Sequence, residues 1–231
     1  MKIICVSDTH NKHNDVEMPY FDDEVTILIH AGDSTGRGRE NEIKDFFIWL
    51  KEQSKRYTYV VFIAGNHDFC FEKRGPWMDN LLNDLTENTN IYYLQDETIE
   101  LEGLKIYGTP YQPFFHNWAF NLHRGKPLEE KWSLIPDDTD ILICHGGPAY
   151  VGNLNYVMSR YGGDDVGCFD LYNRIKQLTN LKLFVQGHIH QGYNYYEEDR
   201  KLFINACVCD ESYNPTNKPF VVDTNNWGVI T

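Results

Sequence analysis

Apolar residues fall along this chain in short runs that break off at glycine, aspartate, asparagine or histidine. Runs rich in Val, Ile, Leu, Phe and Tyr predict strands over 2–7, 25–30, 58–64, 104–108, 140–144, 182–186, 193–196, 201–205 and 219–223. Between them the spacing changes to that of a helix. Ile43, Phe46, Phe47 and Leu50 form one stripe in 40–55. Met78, Leu81, Leu82 and Leu85 repeat it in 76–87, where Pro76 suits the first helical position. Leu171, Ile175 and Leu178 predict a third helix at about 165–179. The early runs are nearly continuous rather than alternating, as in strands covered on both faces. Strands alternating with helices, then mostly strands, predict a mixed α/β architecture. Segment 91–107 reads as a meander, and aromatic, turn-rich 109–135 as a long ordered loop with at most one short helix.

Composition narrows the class. A chain of 231 residues suits one domain spanning 1–231, and 42% hydrophobic with 24% charged residues is ordinary for a globular protein. The net charge of −13 argues against a nucleic-acid binder, so no stable nucleic-acid complex is expected. It does not exclude a small anionic substrate, because bound cations can reverse the field locally. The first apolar run is too quickly followed by Asp8 to be a signal peptide, and no run is long enough to span a membrane. Cys5 and Cys144 lie inside strand-like runs and no cysteine pair has C-x-x-C spacing, so the six cysteines read as reduced thiols in a cytoplasmic protein.

Chemistry enters where the runs end. Asp8-Thr9-His10, Gly32-Asp33, Gly65-Asn66-His67-Asp68, His145-Gly146 and Gly187-His188-Ile189-His190 each follow an apolar run. Strand ends of open α/β sheets are where ligand sites form, so these five ends are expected to converge. Carboxylate, amide oxygen and imidazole without thiolate fit Mn, Fe, Co, Ni or Zn ions better than calcium. A pair of such ions needs a bridging group, and one carboxylate such as Asp33 can hold both about 3.5–4 Å apart.

The five motifs resemble the calcineurin-like metallophosphoesterase pattern D-x-H, G-D, G-N-H-D/E, H and G-H-x-H, across positions 8 to 190. The likeness extends to the branch of metallophosphoesterase-domain-containing proteins, through Ile106-Tyr107-Gly108-Thr109-Pro110, Phe120-Asn121, Asn205-Ala206 and Tyr213-Asn214-Pro215. Two positions depart from that branch: Gly147 stands where proline is frequent, and Asp68 where glutamate is frequent. The resemblance implies a four-layer αββα sandwich of two mixed sheets flanked by helices. It implies two divalent transition-metal ions, with manganese the expected metal. One would be held by Asp8, His10, Asp33 and His190, the other by Asp33, Asn66, His145 and His188. His67 would contact the phosphate and protonate the leaving oxygen, with Asp68 orienting its ring. The implied activity is hydrolysis of small nucleotide or cyclic-nucleotide phosphodiesters by a hydroxide held between the ions.

Other features have two readings. The aromatics of the 109–135 loop, with Tyr111 and Trp118 foremost, either pack the loop onto the domain or form a wall for a nucleobase; Trp77 and Tyr150 could extend such a wall. Asn66 and His67 are the polar substrate contacts expected beside them. His116 and His123 read as ordinary loop histidines, Cys144 as core, and His30 as a donor behind a ligand. Cys207 and Cys209 could bind stray metal but make no closed zinc site. Two rival functions share this scaffold: a nucleotide-binding regulatory protein with little turnover, and a phosphomonoesterase or protein phosphatase.

Overall fold

The computed structural model describes residues 1–22, 24–159 and 162–230. The first half contains β1 (Lys2–Val6), β2 (Thr26–Ala31), α1 (Glu40–Gln53), β3 (Tyr59–Ile63), α2 (Phe69–Glu72), α3 (Pro76–Thr86), β4 (Ile91–Tyr93), β5 (Glu97–Leu101) and β6 (Leu104–Thr109). There follow β7 (Gln112–Pro113), β8 (Asn121–Leu122), α4 (Lys126–Trp132), β9 (Ile141–Cys144), β10 (Tyr156–Ser159), β11 (Gly162–Asp165) and α5 (Phe169–Gln177). The last strands are β12 (Leu183–Gln186), β13 (Asn194–Glu198), β14 (Lys201–Asn205), β15 (Phe220–Asp223) and β16 (Gly228–Val229).

Two six-stranded mixed sheets face each other, in the orders β16-β15-β1-β2-β3-β4 and β13-β14-β12-β9-β6-β5. Strand alternation assigns each side chain to a layer. Ile3, Cys5, Ile27, Ile29, Val61 and Ile63 meet Ile141, Ile143, Leu183, Val185 and Ile204 between the sheets. Their neighbours Ile4, Val6, Leu28, Val60 and Phe62 point outward onto Phe46, Leu50, Met78 and Leu82 of α1 and α3. Leu142, Cys144, Phe184 and Phe203 face the other way, onto Leu128, Trp132, Leu171 and Ile175 of α4 and α5. The four layers are therefore helix, sheet, sheet, helix. β1, β2 and β3 run parallel in one sheet and β9 and β12 in the other, so five candidate strand ends lie at carboxyl edges.

Three expectations change. Segment 91–107 is not a meander, because β4 pairs with β3 while β5 and β6 form a hairpin in the opposite sheet. The chain crosses there because Leu94 is buried in the core between the sheets, anchoring the turn. The third helix begins at Phe169 rather than about 165. Asp165 ends a strand instead, its carboxylate accepting from the Tyr150 and Gly167 amides at 2.7 and 2.9 Å. The β10–β11 hairpin is an element the apolar pattern did not signal. Segment 109–135 contains one short helix, α4, and a two-residue strand pair.

Candidate metal centre

The loops after β1, β2, β3, β9 and β12 carry the candidate donors, and the backbone there is bent hard. Asp8, His10, Asp33 and His188 have φ of +54°, +41°, +54° and +71°. Left-handed non-glycine residues cost about 1–3 kcal/mol each and persist where surrounding contacts enforce them. Glycine makes the close approach possible. Gly32 has φ +96°, and a Cβ on it would lie 2.6 Å from His145 Nδ1.

Asp33 lies at the centre. Its Oδ2 is 3.9 Å from His10 Nε2 and 3.9 Å from His67 Nε2, while its Oδ1 is 3.4 Å from His145 Nε2. On the first side, His190 Nε2 is 3.4 Å from Asp8 Oδ1 and 3.2 Å from His10 Nε2. On the second, His145 Nε2 is 3.1 Å from Asn66 Oδ1, and the His188 ring centre is 5.2 Å from that of His145. Among the described residues the His and Asp donor atoms fall into three overlapping groups, Asp8 with His10 and His190, His10 with Asp33 and His67, and Asp8 with Asp33 and His145; Asn66 joins through His145 and His188 adjoins it by its ring.

The donor set fits divalent cations on its own chemistry. His10, His145 and His190 each direct Nδ1 at a backbone carbonyl, of Thr35, Ala31 and Asp210, at 3.1, 2.9 and 2.7 Å. A carbonyl only accepts, so each Nδ1 carries a proton and Nε2 is the nitrogen turned inward, where a cation could displace any proton it holds. This is how a metal-ligating imidazole is normally held. Two Nε2 atoms 3.2 Å apart, beside two buried carboxylates, need a shared positive charge between them.

The titration of these groups follows the same logic. Burial opposes charge on His145, but Asp33 and Asp8 outweigh it and raise its pKa to about 9. Burial also opposes charge on His190, and the bond and charge of Asp8 raise it to about 9. Burial prevails at His10, pushed down to about 4 despite Asp33 and Asp8. It prevails likewise at His188, pushed down to about 4 with the help of His145. Asp8 and Asp33 resist burial and stay below the usual carboxylate range, held by His190 and His145 respectively.

The expected contact between Asp68 and His67 is absent from the described hydrogen bonds. Asp68 instead accepts from Ser34 N, Ser34 Oγ, Thr35 N, Thr35 Oγ1 and Gly65 N, at 2.7–3.2 Å. Its lone pairs are saturated by the turns after β2 and β3, so it clamps those loops together. His67 is oriented by Gly36 O, 2.8 Å from Nδ1, and by Trp118, stacked on it at 4.1 Å between ring centres. His30 is bonded to no candidate ligand among the described hydrogen bonds; its Nε2 lies 3.0 Å from Oγ1 of Thr9, the residue between Asp8 and His10. Cys207 and Cys209 separate: the Cys207 thiol lies 3.0 Å from Asp8 Oδ2, while Cys209 Sγ is 3.8 Å from Thr9 O.

A cavity of about 500 Å³ opens over this cluster, lined by Asp33, Asn66, His67 and His188 at one end and by Phe114, Phe115, Trp118 and Val157 along its wall. Tyr111 is not on that wall. Its ring packs on Phe120, with the Lys131 ammonium 4.1 Å from its centre, because the short β7–β8 pair turns it inward. Trp77 and Tyr150 also lie outside the lining; Tyr150 packs on Phe169 and Tyr172. His123 and His116 stack on or abut Phe114 and Phe115. Tyr213, given no role by the sequence reading, lines the cavity with its ring 4.7 Å from that of His10. Its place in the Tyr213-Asn214-Pro215 match was the available signal.

Residues 1–192 match the model of the calcineurin-like phosphoesterase family. The chain belongs to that family. Among curated relatives, metallophosphoesterase domain-containing protein 1 of Homo sapiens is 40% identical, over 96% of this chain and 70% of its own length. UPF0046 protein T07D4.2 of Caenorhabditis elegans is 34% identical, over 96% of this chain and 60% of its own. A solved crystal structure 13% identical aligns over 99% of this chain and 96% of that chain with a TM-score of 0.62, which shows a shared fold. No helix among the described residues is long and apolar enough to cross a membrane.

Proposed function

We propose that this phosphoesterase hydrolyses small phosphodiesters, nucleotides or cyclic nucleotides among them, at a centre of two divalent cations. The observation that carries this reading is the split of Asp33, with Oδ2 turned to His10 and Oδ1 to His145. In the proposed assignment Asp8, His10, Asp33 and His190 hold one cation, and Asp33, Asn66, His145 and His188 hold the other. Such a pair, manganese being the expected metal, supplies charge that neutralises phosphoryl oxygens and acidifies a bound water. The chain's own residues do the rest. The four donors on each side would fix where the cations, and through them the phosphate, sit. His67, its Nδ1 on Gly36 O and its ring against Trp118, presents Nε2 to the substrate and passes a proton to the leaving oxygen. The apolar wall of Phe114, Phe115, Trp118 and Val157 shelters an organic group beyond the phosphate.

That wall supports a diester over a monoester, since a diester keeps an organic group on the side away from the leaving oxygen. The test compares bis-p-nitrophenyl phosphate with p-nitrophenyl phosphate on Mn²⁺-reconstituted protein. A kcat/KM higher for the diester is expected; a preference for the monoester would assign the protein to phosphomonoester hydrolysis instead.

A further inference from the structure

Asp8 and Cys207 are far apart in sequence and adjacent in space. Ser7 pairs with Cys207 in an isolated bridge, with Ser7 N donating to Ala206 O and Val208 N to Ser7 O at 2.9 and 3.0 Å. This short ladder sets the Cys207 side chain beside the strand end that carries Asp8. Asn205 adds a further restraint, its Oδ1 accepting from Cys207 N at 3.2 Å. The thiol is fully buried and lies 3.0 Å from Asp8 Oδ2.

The two oxygens of Asp8 are not equivalent. Oδ1 is the one near the imidazoles, 3.4 Å from His190 Nε2 and 3.9 Å from His10 Nε2. Oδ2 faces protein: it receives the thiol, and the Gly187 backbone presses so close that a Cβ there would collide with it. The His188 amide, 3.0 Å from both oxygens, holds the carboxylate plane along its edge.

We propose that Cys207 is a positioning residue for the cation site on the Asp8 side, its S–H holding Oδ2 of Asp8 so that Oδ1 alone faces His10 and His190. The proposal rests on the two-cation reading above. A carboxylate free to rotate would present either oxygen, or both. Donors behind a ligand typically change metal affinity about 10–100-fold when removed. No thiolate ligation is involved; the sulfur acts through the carboxylate. Among the described residues, Cys207 belongs to none of the groups of donor atoms close enough to share an ion.

The test is calorimetric titration of metal-stripped full-length protein with Mn²⁺ alone, for wild type, Cys207→Ala, Cys207→Val and Cys207→Ser. Wild type is expected to take up two equivalents. The Ala and Val variants should lose about 10–100-fold in affinity for one equivalent and keep the other, while Ser, which restores a donor, regains most of the loss. Val fills the thiol's volume, so it guards against collapse of an Ala cavity, and near-ultraviolet circular dichroism checks that each variant is folded. Ala and Val variants binding both equivalents like wild type would overturn the role of Cys207 and leave the two-cation reading standing. Equal losses in Ser and Val would also overturn it, since shape rather than hydrogen bonding would then be at work. A wild type that binds no Mn²⁺ would bring down the two-cation reading itself.

Discussion

Asp33 serves both halves of the cluster because its carboxylate is fixed from behind: the His67 amide donates to Oδ1 at 2.8 Å. His67 has a different standing, since its ring faces the cavity between Trp118 and His10. His67→Ala should therefore leave the Mn²⁺ content intact and slow esters with poor leaving groups most, by about 10²–10⁴-fold. Metal analysis with rates on p-nitrophenyl and alkyl esters reads both; an equal loss on all esters would make His67 a phosphate-positioning group. Proton linkage gives a second residue-scale prediction. Unfolded histidine titrates near about 6.5. With His145 and His190 raised to about 9, the cation-free folded state binds the extra protons, so their stabilisation is complete below about pH 6.5 and lost as pH rises through about 9. His10 and His188, pushed down to about 4, add stability that is complete above about 6.5 and lost as pH falls through about 4. Cation-free protein should melt highest near pH 6.5, and Mn²⁺ uptake at pH 7 should expel close to two protons, from His145 and His190. Calorimetry in buffers of different ionisation enthalpy counts them, and uptake without proton release would contradict the assignment.

At the scale of elements, the strands were legible because burial on both faces leaves a continuous apolar run, as in Thr26–Ala31 and Ile141–Cys144. Helices α1 and α3 were legible through their stripes and Pro76, whereas the single turn of α2 was not. The β10–β11 hairpin was not, because Gly162-Gly163-Asp164-Asp165 has neither β-branched residues nor alternation, and pairing with Tyr156–Ser159 alone makes it a strand. The crossover after β4 was hidden for another reason: sheet membership is a tertiary choice, made by Leu94 entering the core. Ligand identities could be read from motifs, whereas the partners behind them could not. Gly36 O, Asp210 O and the Cys207 thiol come from distant loops with no fixed spacing to His67, His190 or Asp8. Tyr111 and Trp118 show the same limit, since composition marks an aromatic loop but only folding turns one ring outward. α5 carries no candidate ligand, so its role is packing. Ile175→Ala, in the core under the second sheet, should cost about 2–5 kcal/mol by denaturant unfolding. Mn²⁺ stoichiometry should be unchanged, and its loss would mean that α5 supports the site as well as the sheet.

For the molecule as a whole, charge poses the sharpest question. A chain of net charge −13, with Asp33 in the cavity lining and Asp8 buried close by, offers an anionic phosphate no net positive charge there, since the two carboxylates offset the charge on His145 and His190. Among the described residues that line the cavity, Arg124 is the one arginine or lysine, and it is already bonded to the carbonyls of Val166 and Gly167 at 2.7 Å. Two divalent cations would reverse the local field where the phosphate must sit. Membership of the calcineurin-like phosphoesterase family, the αββα sandwich and the inward-facing Nε2 atoms point the same way. The most direct test is hydrolysis of bis-p-nitrophenyl phosphate by metal-stripped protein as Mn²⁺ is added back. Negligible turnover without cation, rising to a plateau at two equivalents per chain, is the predicted result. No turnover at any level of Mn²⁺, Co²⁺, Ni²⁺ or Zn²⁺ would contradict the account.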